Sequence, residues 1–187
     1  MTSSANFCTA RLRVRRLASI DPQLFRRYLV ENRDAHRPWE PTRNDDYYSL
    51  ESIEKRFEAM GFDHENLPER RFALLSSDEC DVIGVINFTS IASFPFHACH
   101  LGFSVGKEHE GLGLMREGLQ VVIPFMFETC ELNRVMANFI PRNFRSARLL
   151  QGLGFRVEGF AKNYLCINGK WEDHILTSVL RTDWFPT

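Results

Sequence analysis

The chain has 187 residues, a net charge of −1 and 44% apolar residues, enough for one domain with its own core and too close to neutral for a broad nucleic-acid footprint. Its five cysteines, Cys8, Cys80, Cys99, Cys130 and Cys166, form no C-x-x-C pair, the usage of a reduced cytosolic protein rather than a disulfide scaffold. The start M-T-S-S-A-N-F-C-T-A lacks a basic region and an apolar core, and no later run approaches about eighteen apolar residues, so neither export nor a membrane span is expected and the cytoplasm is.

Arg11 to Leu17 alternates charged and apolar residues, as a strand with one buried face does. Asp21-Pro22 then opens a helix running to about Asn32, with Asp at the N-cap and Pro in the first turn. Pro38-Trp39-Glu40-Pro41 is expected to be an extended loop, and a second helix runs from about Ser49 to Gly61. Arg71–Ser76 and Asp81–Ser90 form a hairpin around the polar turn S-D-E-C, and a third antiparallel strand spans Phe96 to Val105. A helix follows over Leu114–Thr129, then a strand over Asn133–Ile140. A helix over Asn143–Leu153 has Asn143 as N-cap, Leu149, Leu150 and Leu153 as its buried stripe, and Gly154 as its stop. The hairpin Val157–Ile167 and Trp171–Leu180 turns at Asn168-Gly169. No repeat or linker interrupts residues 1–187, which are read as one domain of mixed α/β class, a sheet with helices on its faces.

The richest local signal is Gly111-Leu112-Gly113, between a strand-like and a helix-like run. Without Cβ atoms such a turn tightens until several N–H groups face one anion, and the following helix adds unpaired donors. Arg116 stands where a dinucleotide fingerprint needs its third glycine, and no G-K-[ST] follows, so this is a pyrophosphate cradle of another kind. Of the basic clusters, Arg11, Arg13, Arg15 and Arg16 read as solvated surface, whereas Arg142, Arg145 and Arg148 lie along one side of a helix's first turns.

The stretches L-G-F-S-V-G-K-E-H-E-G-L-G-L-M from Leu101 and N-R-V-M-A-N-F-I-P-R-N-F-R-S-A-R-L-L-Q-G-L-G-F-R-V-E-G from Asn133 resemble the GNAT acyl-CoA-dependent N-acetyltransferases. Within that family the likeness is to the RimJ/RimL type, which acetylates ribosomal-protein amino termini. It runs from the first strand to the final D-W-F-P, and P-W-E-P and N-G-K-W-E-D-H are closest to the ribosomal-protein-alanine subgroup. The resemblance implies a GNAT fold, a mostly antiparallel twisted sheet of about seven strands flanked by four helices. It implies acetyl-CoA as cofactor, held by Phe103, Ser104 and Val105 at the strand end, by Glu110, Gly111, Leu112, Gly113, Leu114 and Met115 in the turn, and by Asn138, Asn143, Arg145 and Ser146 opposite. Glu110 and Met115 depart from the family pattern [QR]-x-x-G-x-[GA]; a carboxylate beside pyrophosphate is unfavourable, so Glu110 is expected to point away and serve through its backbone.

Where many relatives carry a tyrosine acid this chain has Leu150, so Ser146 becomes the candidate donor to the departing thiolate. His100, just before L-G-F where some relatives carry glutamate, is the candidate base, with Glu40 and Glu158 as alternative carboxylates. Trp39, Glu40 and Tyr164 are candidates for lining the acceptor groove. His97 and His100 fall on opposite faces of a strand, so no metal site is expected. Nothing pairs Cys99 or Cys130 with a base, so direct attack is expected rather than a covalent enzyme intermediate. The resemblance thus implies acetyl transfer to the N-terminal amine of a ribosomal protein, alanine first, with no direct nucleic-acid site, no membrane partner and an open oligomeric state. Two other readings stay open: acetylation of a small-molecule amine, and a non-catalytic coenzyme-A-binding factor in ribosome assembly.

Overall fold

A computed structural model describes residues 6–61 and 69–184; the first five residues of the amino-terminal stretch and the last two residues of D-W-F-P lie outside them. Eight strands form one sheet: β1 (Phe7–Cys8), β2 (Arg13–Arg16), β3 (Arg70–Leu75), β4 (Val82–Ala92), β5 (Ala98–Val105), β6 (Arg134–Phe139), β7 (Arg156–Ile167) and β8 (Lys170–Leu180). Their order is β1-β2-β3-β4-β5-β6-β8-β7. The helices are α1 (Pro22–Glu31), α2 (Arg33–His36), α3 (Leu50–Met60), α4 (Leu114–Thr129) and α5 (Phe144–Gly152). This is the expected mixed α/β architecture with two short additions, β1 and α2.

Local chemistry sets the helix starts. Asp21 caps α1 by accepting from the Gln23 amide at 2.8 Å, Ser49 caps α3 from Ser52 at 3.2 Å, and Asn143 caps α5 from Ser146 at 3.1 Å. Trp39 corrects the extended-loop expectation: Arg37–Trp39 form a 3₁₀ turn continuing from α2, because the fixed φ of Pro38 suits a helical first turn. Extended backbone resumes at Glu40. In the last hairpin, Asn168 (φ 47°) and Gly169 (φ 78°) supply the two left-handed residues of a tight turn.

The sheet carries a core on each face. Under α4 and α5, Leu74, Ile86, Phe88, Leu101, Leu119, Ile123, Met126, Val135 and Ala137 pack together. Under α1 and α3, Phe25, Tyr28, Ile53, Phe57, Ala73 and Val85 form the second. Two glycines let the first core close: a Cβ on Gly118 of α4 would lie 2.6 Å from Leu74, and one on Gly84 of β4 would lie 2.7 Å from the Ser104 carbonyl and 3.1 Å from the Met115 methyl. Gly84 therefore makes the room that Met115 fills.

All strand pairs are antiparallel except β5 with β6. That parallel pairing covers only Ala98–His100 against Arg134–Met136. Beyond it β5 stays paired with β4 through Val105, and β6 with β8 through Phe139, so the two strands part. The sheet is split from that point to the carboxyl ends of both strands.

Candidate active site

The split is a wedge with a free backbone edge on each side. On the β5 side, Leu101–Val105 present peptide groups to it, so an extended chain can enter and pair as a further strand. On the β6 side stand Ala137–Phe139, followed by the Asn143 cap and α5.

The glycine turn lies at the mouth. Gly111 and Gly113 both have φ +77°, so side chains there would be strained. Gly113 is the N-cap of α4 and offers no capping side chain, and the amides of Gly111 through Arg116 donate to no group among the described residues. Six successive open amides at a helix start form an anion nest. Leu114 and Met115 turn their side chains into the core, so they face the nest through backbone alone.

A brace missed by the sequence reading fixes the turn. Arg11 donates from Nη1 to the Leu112 carbonyl at 2.9 Å and from Nε to Glu117 Oε2 at 2.7 Å. Glu117 in turn accepts from the Arg11 amide at 3.0 Å and from the Thr9 hydroxyl. Burial pulls the Glu117 carboxyl upward, but these hydrogen bonds and the Arg11 charge together take it below its ordinary value. Arg11 is thus not simply solvated surface; the acidic first turn of α4 is the sequence signal for it.

Glu110 points across the mouth instead of away. Its carboxylate pairs with Arg145 of α5, joining the two walls of the wedge. On the same helix, Asn143 uses Oδ1 as cap while its Nδ2 has no partner among the described residues, and the Ser146 hydroxyl, half-buried, is likewise open among them. Arg116 lies against α5, with Nη1 3.2 Å from the position of a Cβ on Gly152.

The α1 and α3 face carries the remaining candidate residues. His100 is the last β5 residue paired with β6, opposite Met136, and its ring makes no hydrogen bond among the described residues. Burial depresses its pKa, so it is neutral and able to accept a proton near pH 7. Four residues further, Ser104 exchanges a 2.9 Å hydrogen bond with Tyr28, while Phe103 and Val105 pack toward α4. Across the wedge Asn138 donates from Nδ2 to the Tyr164 hydroxyl at 3.2 Å. Tyr164 packs on the ring of buried His174.

Residues 36–40 cross this face from one wall to the other. His36 Nε2 contacts the Val105 carbonyl at 3.0 Å on the β5 side. The Arg142 guanidinium lies 5.6 Å from the Trp39 ring and pairs with Glu172 at 2.6 Å, and the Asn168 amide donates to the Glu40 carbonyl at 2.9 Å. The Glu40 carboxylate, 35% exposed, faces His36 Nδ1 at 3.9 Å. His36, 69 residues from its β5 partner, carries no sequence signal of this contact. Glu158 is held by Arg134 at 2.5 Å at the closed end of the wedge and its pKa is lowered, first by that hydrogen bond, which makes it a poor base. Burial, with the neighbouring Cys130 second, pushes the Cys99 thiol up to about 12, which suppresses a thiolate nucleophile.

The acetyltransferase (GNAT) domain pattern matches residues 11–156. The chain belongs to the GNAT acetyltransferase family, whose members use acetyl-CoA. It is 40% identical over 178 residues to the [ribosomal protein uS5]-alanine N-acetyltransferase of Escherichia coli (strain K12), covering 95% of this chain and 92% of that one. The crystal structure of a ribosomal-protein-S5-alanine acetyltransferase from Vibrio fischeri superposes with a TM-score of 0.90 at 40% identity, covering 97% of this chain and 100% of that one. RimJ of Mycobacterium smegmatis, solved in complex with CoA-disulfide, shares the fold at a TM-score of 0.84 and 21% identity over 91% of this chain and 82% of its own. No helix among the described residues is long and apolar enough to cross a membrane.

Proposed function

We propose that this chain transfers acetyl from acetyl-CoA to the N-terminal α-amine of a ribosomal protein, alanine being the first residue, by direct attack of the neutral amine on the thioester. The observation that carries this reading is that the 40% identity to a uS5-alanine acetyltransferase extends over 95% of the chain, so it includes residues 36–40 and the last hairpin on the α1 and α3 face, the acceptor face in this reading, as well as the nucleotide cradle.

The open amides of the glycine turn, with Arg11 behind them, would hold the pyrophosphate, and the free edge of Leu101–Val105 the pantetheine arm, with Asn143 Nδ2 as a further donor. When bound, acetyl-CoA supplies an acetyl group already activated as a thioester. Ser146 would donate a hydrogen bond to the sulfur, which departs as thiolate, and His100 would take the proton lost by the amine, through water where the two are separated. Strand amides at the wedge stabilise the developing oxyanion. Trp39, Glu40 and Tyr164 surround the entering chain.

The acceptor's own pKa favours an amino terminus. At pH 7 an α-amine of pKa about 7.7 is roughly 17% neutral and a lysine amine of about 10.4 roughly 0.04%, a gap of about 400-fold. A half-buried histidine suffices for the first.

Thiol release from acetyl-CoA, followed with an Ala-initiated ribosomal-protein peptide, a lysine-only peptide, spermidine and an aminoglycoside, tests the reading. Turnover with the Ala-initiated peptide is expected to exceed the others at least tenfold. Turnover restricted to the small amines would overturn it, and binding without turnover on any amine would favour a non-catalytic role.

A further inference from the structure

Among the described residues, buried side-chain N or O atoms without a hydrogen-bond partner occur at three places: Arg71 Nε, Asn87 Oδ1 and Trp184 Nε1. Two of the three stand side by side. Arg71 of β3 is in register with Asn87 of β4, and Asn87 with Gly102 of β5. Phe72, Ile86 and Phe88 point into the core under α4, whereas Ala73 and Val85 point into the core under α1. Strand alternation therefore puts Arg71 and Asn87 on the acceptor face.

The next position in this row is empty. Gly102 is exposed, and a Cβ there would meet nothing within 4 Å. It is two residues past the last β5 position paired with β6, at the edge of the wedge. Arg71 Nη2 pairs with Glu69 at 2.9 Å in a partly exposed contact, which leaves Nε unused. Buried orphans of this kind are uncommon in native proteins and are relieved when a matching group arrives.

One orphan is a donor and the other an acceptor. A residue in extended conformation presents its N–H and C=O toward the same side, as it does to a neighbouring strand. We infer that Arg71 and Asn87 read the peptide backbone of the acceptor: Asn87 Oδ1 accepts an N–H of the first residues, and Arg71 Nε donates to a peptide carbonyl. The carboxamide turns to its ligand about its terminal torsion, which is broad. A polyamine supplies no carbonyl, so the pair discriminates between peptide and small-amine acceptors. This inference rests on the peptide reading of the acceptor given above.

The test compares kcat/KM for an alanyl peptide and for its analogue in which the first peptide bond is replaced by ethylene, which removes both the carbonyl and the N–H. Asn87→Leu and Arg71→Met are each expected to lose at least tenfold on the peptide and less than twofold on the analogue, with coenzyme A affinity and Tm unchanged. Asn87→Asp, which keeps an acceptor oxygen, is expected to recover most of the peptide activity. Equal losses on both substrates, or none, would overturn the inference while leaving the peptide reading intact. Wild-type protein that acetylates the analogue and not the peptide would overturn both.

Discussion

Replacing Glu110 by glutamine should tighten coenzyme A binding. The carboxylate lies one residue before the open amides and spans the mouth to Arg145. A pyrophosphate on those amides would sit on the order of 6 Å from it; two charges against one at that distance in a water-like dielectric cost about 1.4 kcal/mol, and salt at about 0.15 M roughly halves this. The Glu110–Arg145 pair opposes binding further by occupying a cation of α5 at the mouth, although Arg145 is 75% exposed and such a pair contributes under about 1 kcal/mol. Together the two effects come to about 1 kcal/mol, or roughly fivefold in Kd. Calorimetric titration of Glu110→Gln and wild type with coenzyme A at about 0.05 M and 0.5 M salt tests it: the fivefold advantage should appear at low salt and shrink below twofold at high salt. Weaker binding by the variant, or an advantage indifferent to salt, would refute the argument and make Glu110 a contributor to the cradle.

Ser146→Ala should lower turnover at least tenfold with coenzyme A affinity nearly kept; an unchanged rate in a stopped-flow thiol assay removes the hydroxyl from the mechanism. His100 should impose an acidic limb on kcat/KM centred below pH 6.5, because burial lowers its pKa, and His100→Gln should abolish that limb. The same shift means that the fold loses stability as pH falls from about 6.5 through the lowered value, a loss visible in Tm against pH and absent from His100→Gln. Glu117→Gln, which removes the charge accepting from Thr9 and Arg11, should cost about 2 kcal/mol at pH 7, some 4–8 °C in Tm. Since the folded pKa of Glu117 lies below its ordinary value, that advantage is full above the ordinary glutamate range and disappears as pH falls through the lowered one; a pH-independent difference would sink the assignment.

Periodicity and capping residues made most elements legible in the chain. Asp21-Pro22, Asn143 and Asn168-Gly169 each act through a local backbone requirement, and each occurs where the sequence places it. The glycine turn was legible for the same reason. Trp39 was misjudged because proline was read as imposing extension, while its fixed φ fits a 3₁₀ turn equally well. Contacts across the sheet left no local trace: Arg11 meets Leu112, His36 meets Val105, and Glu110 meets Arg145 only because the order of the strands brings them together. The direction of the Glu110 side chain was misread because its partner lies 35 residues away. Strand alternation could place Arg71 and Asn87 on a face, but not reveal that neither atom finds a partner.

Among the described residues, the three residue pairs that join β5 to β6 are also the only ladder connecting the amino-terminal and carboxy-terminal halves of the sheet. This seam is short, and a ligand lying along Leu101–Val105 would stitch it. Cofactor bound there would be a structural cross-link between the halves as well as a reactant. At about a hundred times its Kd it would add about 2.7 kcal/mol to folding, and the amides of the parted strands would gain the greatest hydrogen-exchange protection. In a cell, the lifetime of this protein would follow the supply of its acyl donor.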